Sequence, residues 1–280
     1  MPHTRFLLLA AALLPRLAAA TTFLDVCDRL SLTSTSCVIT SGHDVVTGSI
    51  LDFGARDVVV EQGGRLDVGS GTMTLTAKSL TLKPGGRLLA GGSGHGARGG
   101  TISITTTGDI LVQAAGNTKG RIDLVAESAG GRLTLTAGGS VVIAGIVTTP
   151  AGTGVGSGGQ INIQATGSLS LATGSLLDVH GGGESFGGTL MANAVGGIVL
   201  NGAVDATAGF GGTVMLQTAD SLSTSPTSRI EVRSTSGTSG DGGDVTLIAA
   251  GTMTLAGPIV GEGSGTLLAG GGTGGSLTIQ

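Results

Sequence analysis

From Gly48 onward, apolar and polar residues alternate in short segments that open on a glycine or glycine pair and recur about every 28 residues. Clear copies are Gly99-Gly100-Thr101-Ile102-Ser103-Ile104, Gly130-Gly131-Arg132-Leu133-Thr134-Leu135 and Gly242-Gly243-Asp244-Val245-Thr246-Leu247. A second segment follows at a fixed offset: Ile102 to Ile110, Leu133 to Val141, Ile161 to Leu169 and Val245 to Met253 are each eight residues apart. After a turn of variable length comes a third apolar pair, as in Leu66 and Val68, Ile122 and Leu124, Leu177 and Val179, and Ile230 and Val232. Each repeat therefore reads as three short strands with one side inward and the other in solvent. Glycine supplies the turns that need a positive φ or a close approach of backbones.

Three unlike strands per repeat, with no helical period between them, predict an all-β solenoid: a right-handed parallel β-helix of about eight coils. Hairpins do not explain the repeat, although Asn201-Gly202 is a hairpin-like dipeptide. The glycine-rich loops at 91–98, 149–157, 181–186 and 234–241 carry most of the variation in repeat length and are expected at one corner. At about 4.8 Å per coil the rod would be roughly 40 Å long. The 55 glycines lack the collagen triplet and the segments between them are rich in Leu, Val, Ile and Thr, which excludes collagen and argues against disorder.

Residues 1–20 read as a signal peptide: Arg5, an apolar run at 6–14, and Ala18-Ala19-Ala20 as the cleavage site. That run is far shorter than the ~20 residues that span a bilayer, and no later stretch could cross as a helix, so no transmembrane segment is expected. Export makes a disulfide between Cys27 and Cys37, the only cysteines, the natural state of the pair. They fall in a segment, 21–47, read as a small cap over the first coil, with the β-helix at 48–280. Metal binding by the cysteines is a poor competitor because the nearest histidine, His43, is alone. The repeat is still running at Leu277-Thr278-Ile279-Gln280, which predicts that the β-helix continues beyond Gln280 or that this edge associates end to end with another copy.

The glycine-pair strand, the strand that follows it, and a third strand ending in a small or polar turn, as in Asn201-Gly202-Ala203-Val204-Asp205-Ala206, resemble the β-helical passenger regions of bacterial surface adhesins of the filamentous haemagglutinin and autotransporter kind. The resemblance covers roughly residues 44 to 280 and implies an exported, non-catalytic rod for adhesion or surface architecture, with surface glycans or a neighbouring cell surface as partner. The Asn-Pro-Asn-Gly signature of the haemagglutinin secretion domain and a membrane-barrel translocator do not occur in this sequence, so the secretion route and the anchor stay open.

Parallel β-helices also carry polysaccharide lyases and glycoside hydrolases, whose sites use carboxylates on adjacent coils. The outward middle position of the third strand reads Asp67, Leu89, Asp123, Val147, Asp178, Asp205, Glu231, Val260, which stacks Asp178, Asp205 and Glu231 on successive coils. Such a column could bind Ca²⁺, or one member could act as general acid while another stays ionised. His180, Thr207 and Arg233 would form a neighbouring column. Polar residues belong at an outward position in any solenoid, however, and the chain has no Trp or Tyr to stack on sugar rings, so no catalytic residue or cofactor is assigned. Phe186 and Phe210 occupy equivalent loop positions and read as a stacked structural pair.

Weaker patterns add little. Gly94-His95-Gly96-Ala97-Arg98-Gly99 fits a dinucleotide fingerprint but precedes a strand, not a helix. His95 and His180 fall on different corners, and Asp241 and Asp244 lack the nine-residue calcium repeat. A net charge of −4 with no basic run argues against nucleic-acid binding. Ice binding would need an unbroken threonine column, and the first-strand column Thr74, Ser103, Thr134, Asn162, Met191, Met215, Thr246, Thr278 is interrupted by the two methionines.

Overall fold

The alternation closes into three parallel nine-stranded sheets, one for each strand type. The computed structural model describes residues 20–29, 35–94, 96–152, 154–236, 239–265 and 273–280. The expected signal peptide, apart from Ala20, lies outside the described residues, as does His95. Consecutive strands of each sheet come from consecutive coils, so the chain winds as a right-handed parallel β-helix. No helix among the described residues is long and apolar enough to cross a membrane.

Each coil places like residues on like. In the first-strand sheet Leu75, Ile104, Leu135 and Ile163 stack in register, and all four are fully buried. The second-strand sheet stacks Leu80, Ile110, Val141 and Leu169, and the third-strand sheet Leu66, Leu88, Ile122 and Val147. Full burial of one such side chain is worth about 1.5–3 kcal/mol, and the column repeats that gain at every coil. The outward column at Thr74, Ser103, Thr134, Asn162, Met191, Met215, Thr246 and Thr278 is in the register expected from the sequence.

The glycine pairs serve close approach. None of the pairs that open first strands has a positive φ; that conformation belongs to turn glycines such as Gly63, Gly85 and Gly174. A Cβ at Gly130 would run into the carbonyl oxygen of Thr149, and one at Gly159 into the carbonyl oxygen of Gly131 on the preceding coil. The pairs therefore form a ladder of bare backbone where the third strand turns back into the first. The long loops leave at this corner, where Arg98, Ala129 and Ser157 pair as isolated bridges, as do Phe186 with Phe210 and Ala208 with Ser234.

Three expectations are corrected. The described residues form nine coils where the sequence predicts about eight, because the first begins inside the segment assigned to the cap, with strands Ser36–Ile39 and Gly42–Asp44. That coil was hidden because His43 holds the inward position where the next coil has Leu66. Second, two minor antiparallel pairs interrupt the parallel pattern: Ala114–Ala115 with Thr118–Lys119, and Ser239–Gly240 with Ser264–Gly265. Asn201-Gly202 makes no hairpin; it links parallel-paired strands. Third, Val147 is not an outward residue. It is buried in register with Ile122 and Leu177, and Thr148 takes the outward place between Asp123 and Asp178.

Before the first coil, the described residues include one short helix. Helix α1 (Phe23–Val26) opens where the Asp25 carboxylate accepts hydrogen bonds from the Thr22 amide and hydroxyl, each at 2.7 Å. Val26 is fully buried, and the Phe23 ring meets Phe53 edge-on at 5.9 Å. A Cys27–Cys37 disulfide joins this segment to the first coil itself, since Cys37 lies in the strand Ser36–Ile39. His43 is not alone: its Nε2 lies 3.1 Å from Asp28 Oδ1.

Candidate functional site

Charge is distributed unevenly over the three faces. The nine first strands contain only Asp52, Arg132 and Asp244 as charged residues, whereas the third strands carry a ladder of acids beside a ladder of arginines. The acid column runs in register through Asp44, Asp67, Leu89, Asp123, Thr148, Asp178, Asp205, Glu231 and Val260. Two residues earlier on the same strands, and so also outward, stand Gly42, Arg65, Arg87, Arg121, Ile146, Leu176, Ala203 and Arg229.

Arginines pair with three of the six acids in this column, while Asp67 accepts the Gly69 amide at 2.9 Å. Arg121 Nε is 3.0 Å from Asp123, Arg65 reaches Asp44 at 3.1 Å, and Glu231 is held by Arg229 and by Arg233 at 3.2 Å. Asp178 and Asp205 are different: Leu176 and Ala203 stand where an arginine would pair with them, and no lysine or arginine forms an ion pair with either among the described residues. Of the three carboxylates singled out in the sequence, the structure thus leaves two without a guanidinium partner and ties up the third.

His180 turns back onto this pair. Its Nδ1 lies 2.7 Å from Asp178 Oδ1, which also accepts the His180 amide at 2.9 Å, while Thr148 Oγ1 donates to Asp178 Oδ2 at 3.3 Å. Asp205 Oδ1 accepts the Thr207 amide at 2.9 Å and its hydroxyl at 2.7 Å. One ligating atom from each of Asp178, His180 and Asp205 falls within 4.8 Å of the others. The Asp178 side chain is only 12% exposed. Hydrogen bonding to Asp178 raises the His180 pKa above its ordinary value; burial opposes the rise, and the charges of Asp178 and Asp205 add to it. The sequence placed His180 in the column beside the acids; it did not show that an imidazole reaches back two residues to close over them.

On the other side of the 181–186 loop, Phe186 and Phe210 stack with ring centres 5.1 Å apart, as expected. Beyond them the glycine ladder floors a shallow groove of about 320 Å³, edged by Arg98, Arg132, Gln160 and Thr189. The neighbouring first-strand face carries few charges. Gln164, Asn193 and Gln217 form an amide ladder across three coils, and Met191 and Met215 lie in the adjoining column. Asp241 and Asp244 spend their carboxylates on Thr273 and Ser276 of the next coil.

The fold and these faces define a parallel β-helical solenoid. In comparisons with known proteins, no family model, no curated protein and no solved structure matches the chain.

Proposed function

We propose that the protein is an exported, non-catalytic rod that serves as a structural or adhesive element of a cell surface, with the first-strand face as its contact surface. The observation that carries this reading is the make-up of the first-strand face: with three charged residues in nine strands it offers an outward array of hydroxyls, amides and two methionines, whereas the second strands, charged only at Asp57, are shorter and present Leu111, Val142 and Val199 outward. Such a face, with groups repeating every ~4.8 Å, suits an extended neutral polymer such as a glycan better than an ionic partner. Met191, nearly half exposed, supplies an apolar spot for the C–H faces of sugar rings.

Polysaccharide cleavage is the second reading, favoured by the paired Asp178 and His180. One experiment separates the two: incubation with neutral and acidic polysaccharides, followed by size-exclusion chromatography. Co-elution with uncut polymer, lost in Met191→Glu and Asn193→Asp, supports adhesion through this face. Shortened chains would overturn the non-catalytic reading, and unchanged chains with no co-elution would leave a purely structural rod.

A further inference from the structure

Arginines pair with Asp44, Asp123 and Glu231 of the acid column, and Asp178 and Asp205 are adjacent acids that no arginine meets among the described residues. Asp123 and Glu231 each have an arginine two residues back on the same strand, and Asp44 is met by Arg65 of the next coil. Between them the arginine column lapses into Leu176 and Ala203, while the acids persist as Asp178 and Asp205, stacked in register. Two carboxylates about 5 Å apart, one of them buried, repel each other unless a cation stands nearby. Within hydrogen-bonding reach of this pair the described structure provides an imidazole, two threonine hydroxyls and two backbone amides, and no guanidinium.

We propose that Asp178, His180 and Asp205 together bind a divalent metal ion of borderline character, of the zinc kind. The donors are two carboxylate oxygens from adjacent coils and one imidazole nitrogen, already gathered within 4.8 Å. That set is typical of zinc and of first-row transition metals with open positions for water. Calcium, the ion the sequence alone suggested, takes six to eight oxygens and is poorly served by a site with an imidazole and few carboxylates. Glu231, the third carboxylate of that expectation, is held by Arg229 and Arg233 and takes no part.

The surroundings hold the ligands as a metal site needs. The Thr207 amide and hydroxyl fix Asp205 Oδ1, and the His180 amide and Thr148 hydroxyl fix the two oxygens of Asp178. Register between coils sets the distance between the carboxylates, so no loop has to close. Binding replaces the bond between His180 Nδ1 and Asp178 Oδ1 with bonds from both residues to the ion. The imidazole ligates as the neutral base, and any proton it carried passes to solvent.

The test is titration of the chelator-stripped protein with zinc chloride in competition with a chromophoric chelator. One equivalent should bind, and His180→Ala or Asp205→Asn should each weaken it by more than about tenfold. Glu231→Gln and His43→Ala should leave binding unchanged; the latter controls for the other carboxylate–imidazole pair, Asp28 with His43. Far-UV spectra that match the parent show that the variants are folded. The proposal is overturned by absence of stoichiometric binding, by binding that survives both site variants, or by calcium displacing zinc at equal concentration.

Discussion

Asp28 Oδ1 and His43 Nε2 lie 3.1 Å apart, joining the segment before the first coil to the inward position of its third strand. The same carboxylate accepts the Thr40 amide at 2.6 Å and the Ser41 amide and hydroxyl at 2.8 Å each. Partial burial pulls the Asp28 pKa upward, but these hydrogen bonds outweigh it and hold the carboxyl well below the usual carboxylate range. A depressed folded pKa contributes stability that is present above the ordinary value near 4 and lost as pH falls through the lower one. Asp28→Asn should therefore cost about 1–3 kcal/mol at neutral pH, and that penalty should shrink below about pH 4. Urea midpoints for both proteins at about pH 7, 4 and 2 measure it; an equal penalty at all three would show that charge plays no part.

The glycine ladder yields a sharper mutational contrast. A Cβ at Gly130 meets the backbone of Thr149 and Gly159, none of which can swing aside, whereas one at Gly183 meets nothing within 4 Å. Gly130→Ala should destabilise by about 1–3 kcal/mol, as overpacking does, and Gly183→Ala by less than about 0.5. Equal thermal midpoints for the two variants would contradict the close-approach role of the pairs.

Much of this architecture is written in alternation, and its failures have physical causes. First-strand register could be read without error because a glycine or glycine pair marks the starts and the outward residues are mostly polar. In the stretch Val141-Val142-Ile143-Ala144-Gly145-Ile146-Val147 both faces are apolar, so alternation disappears and the third strand of that coil slips by one residue on reading. The first coil is obscured in the opposite way, by an inward His43 whose Nε2 is met by Asp28 and Ser41. Asp178 and Asp205 could be found as a column, since register is a property of the repeat. The approach of His180 depends on a side chain folding back along its own strand, for which no period exists.

The Cys27–Cys37 bond closes a short loop, with a sequence separation of 10, between the segment containing α1 and the first second-type strand. Loop-closure entropy of that size corresponds to about 3 kcal/mol. No thiol should react with iodoacetamide before reduction, and reduction should lower the unfolding midpoint while leaving the far-UV signature of later coils intact. Two reactive thiols in the native protein would refute the bond.

Restoring the missing arginine tests why the acid column is open. Leu176 stands in register with Ile146 and Ala203, two residues before Asp178, the same relation Arg121 has to Asp123. A guanidinium at 176 has no like charge directly above or below it, so Leu176→Arg should pair with Asp178 as Arg121 pairs with Asp123. The pair gains at most about 1 kcal/mol because its head remains near solvent. Its larger effect is on the metal: a fixed positive charge beside Asp178 should weaken zinc binding by more than about tenfold, which is about 1.4 kcal/mol. Leu176→Gln, similar in length and without charge, should bind zinc nearly as the parent does. If the two variants bind alike, the lapse in the arginine column has nothing to do with a cation, and Leu176 and Ala203 are there for packing alone.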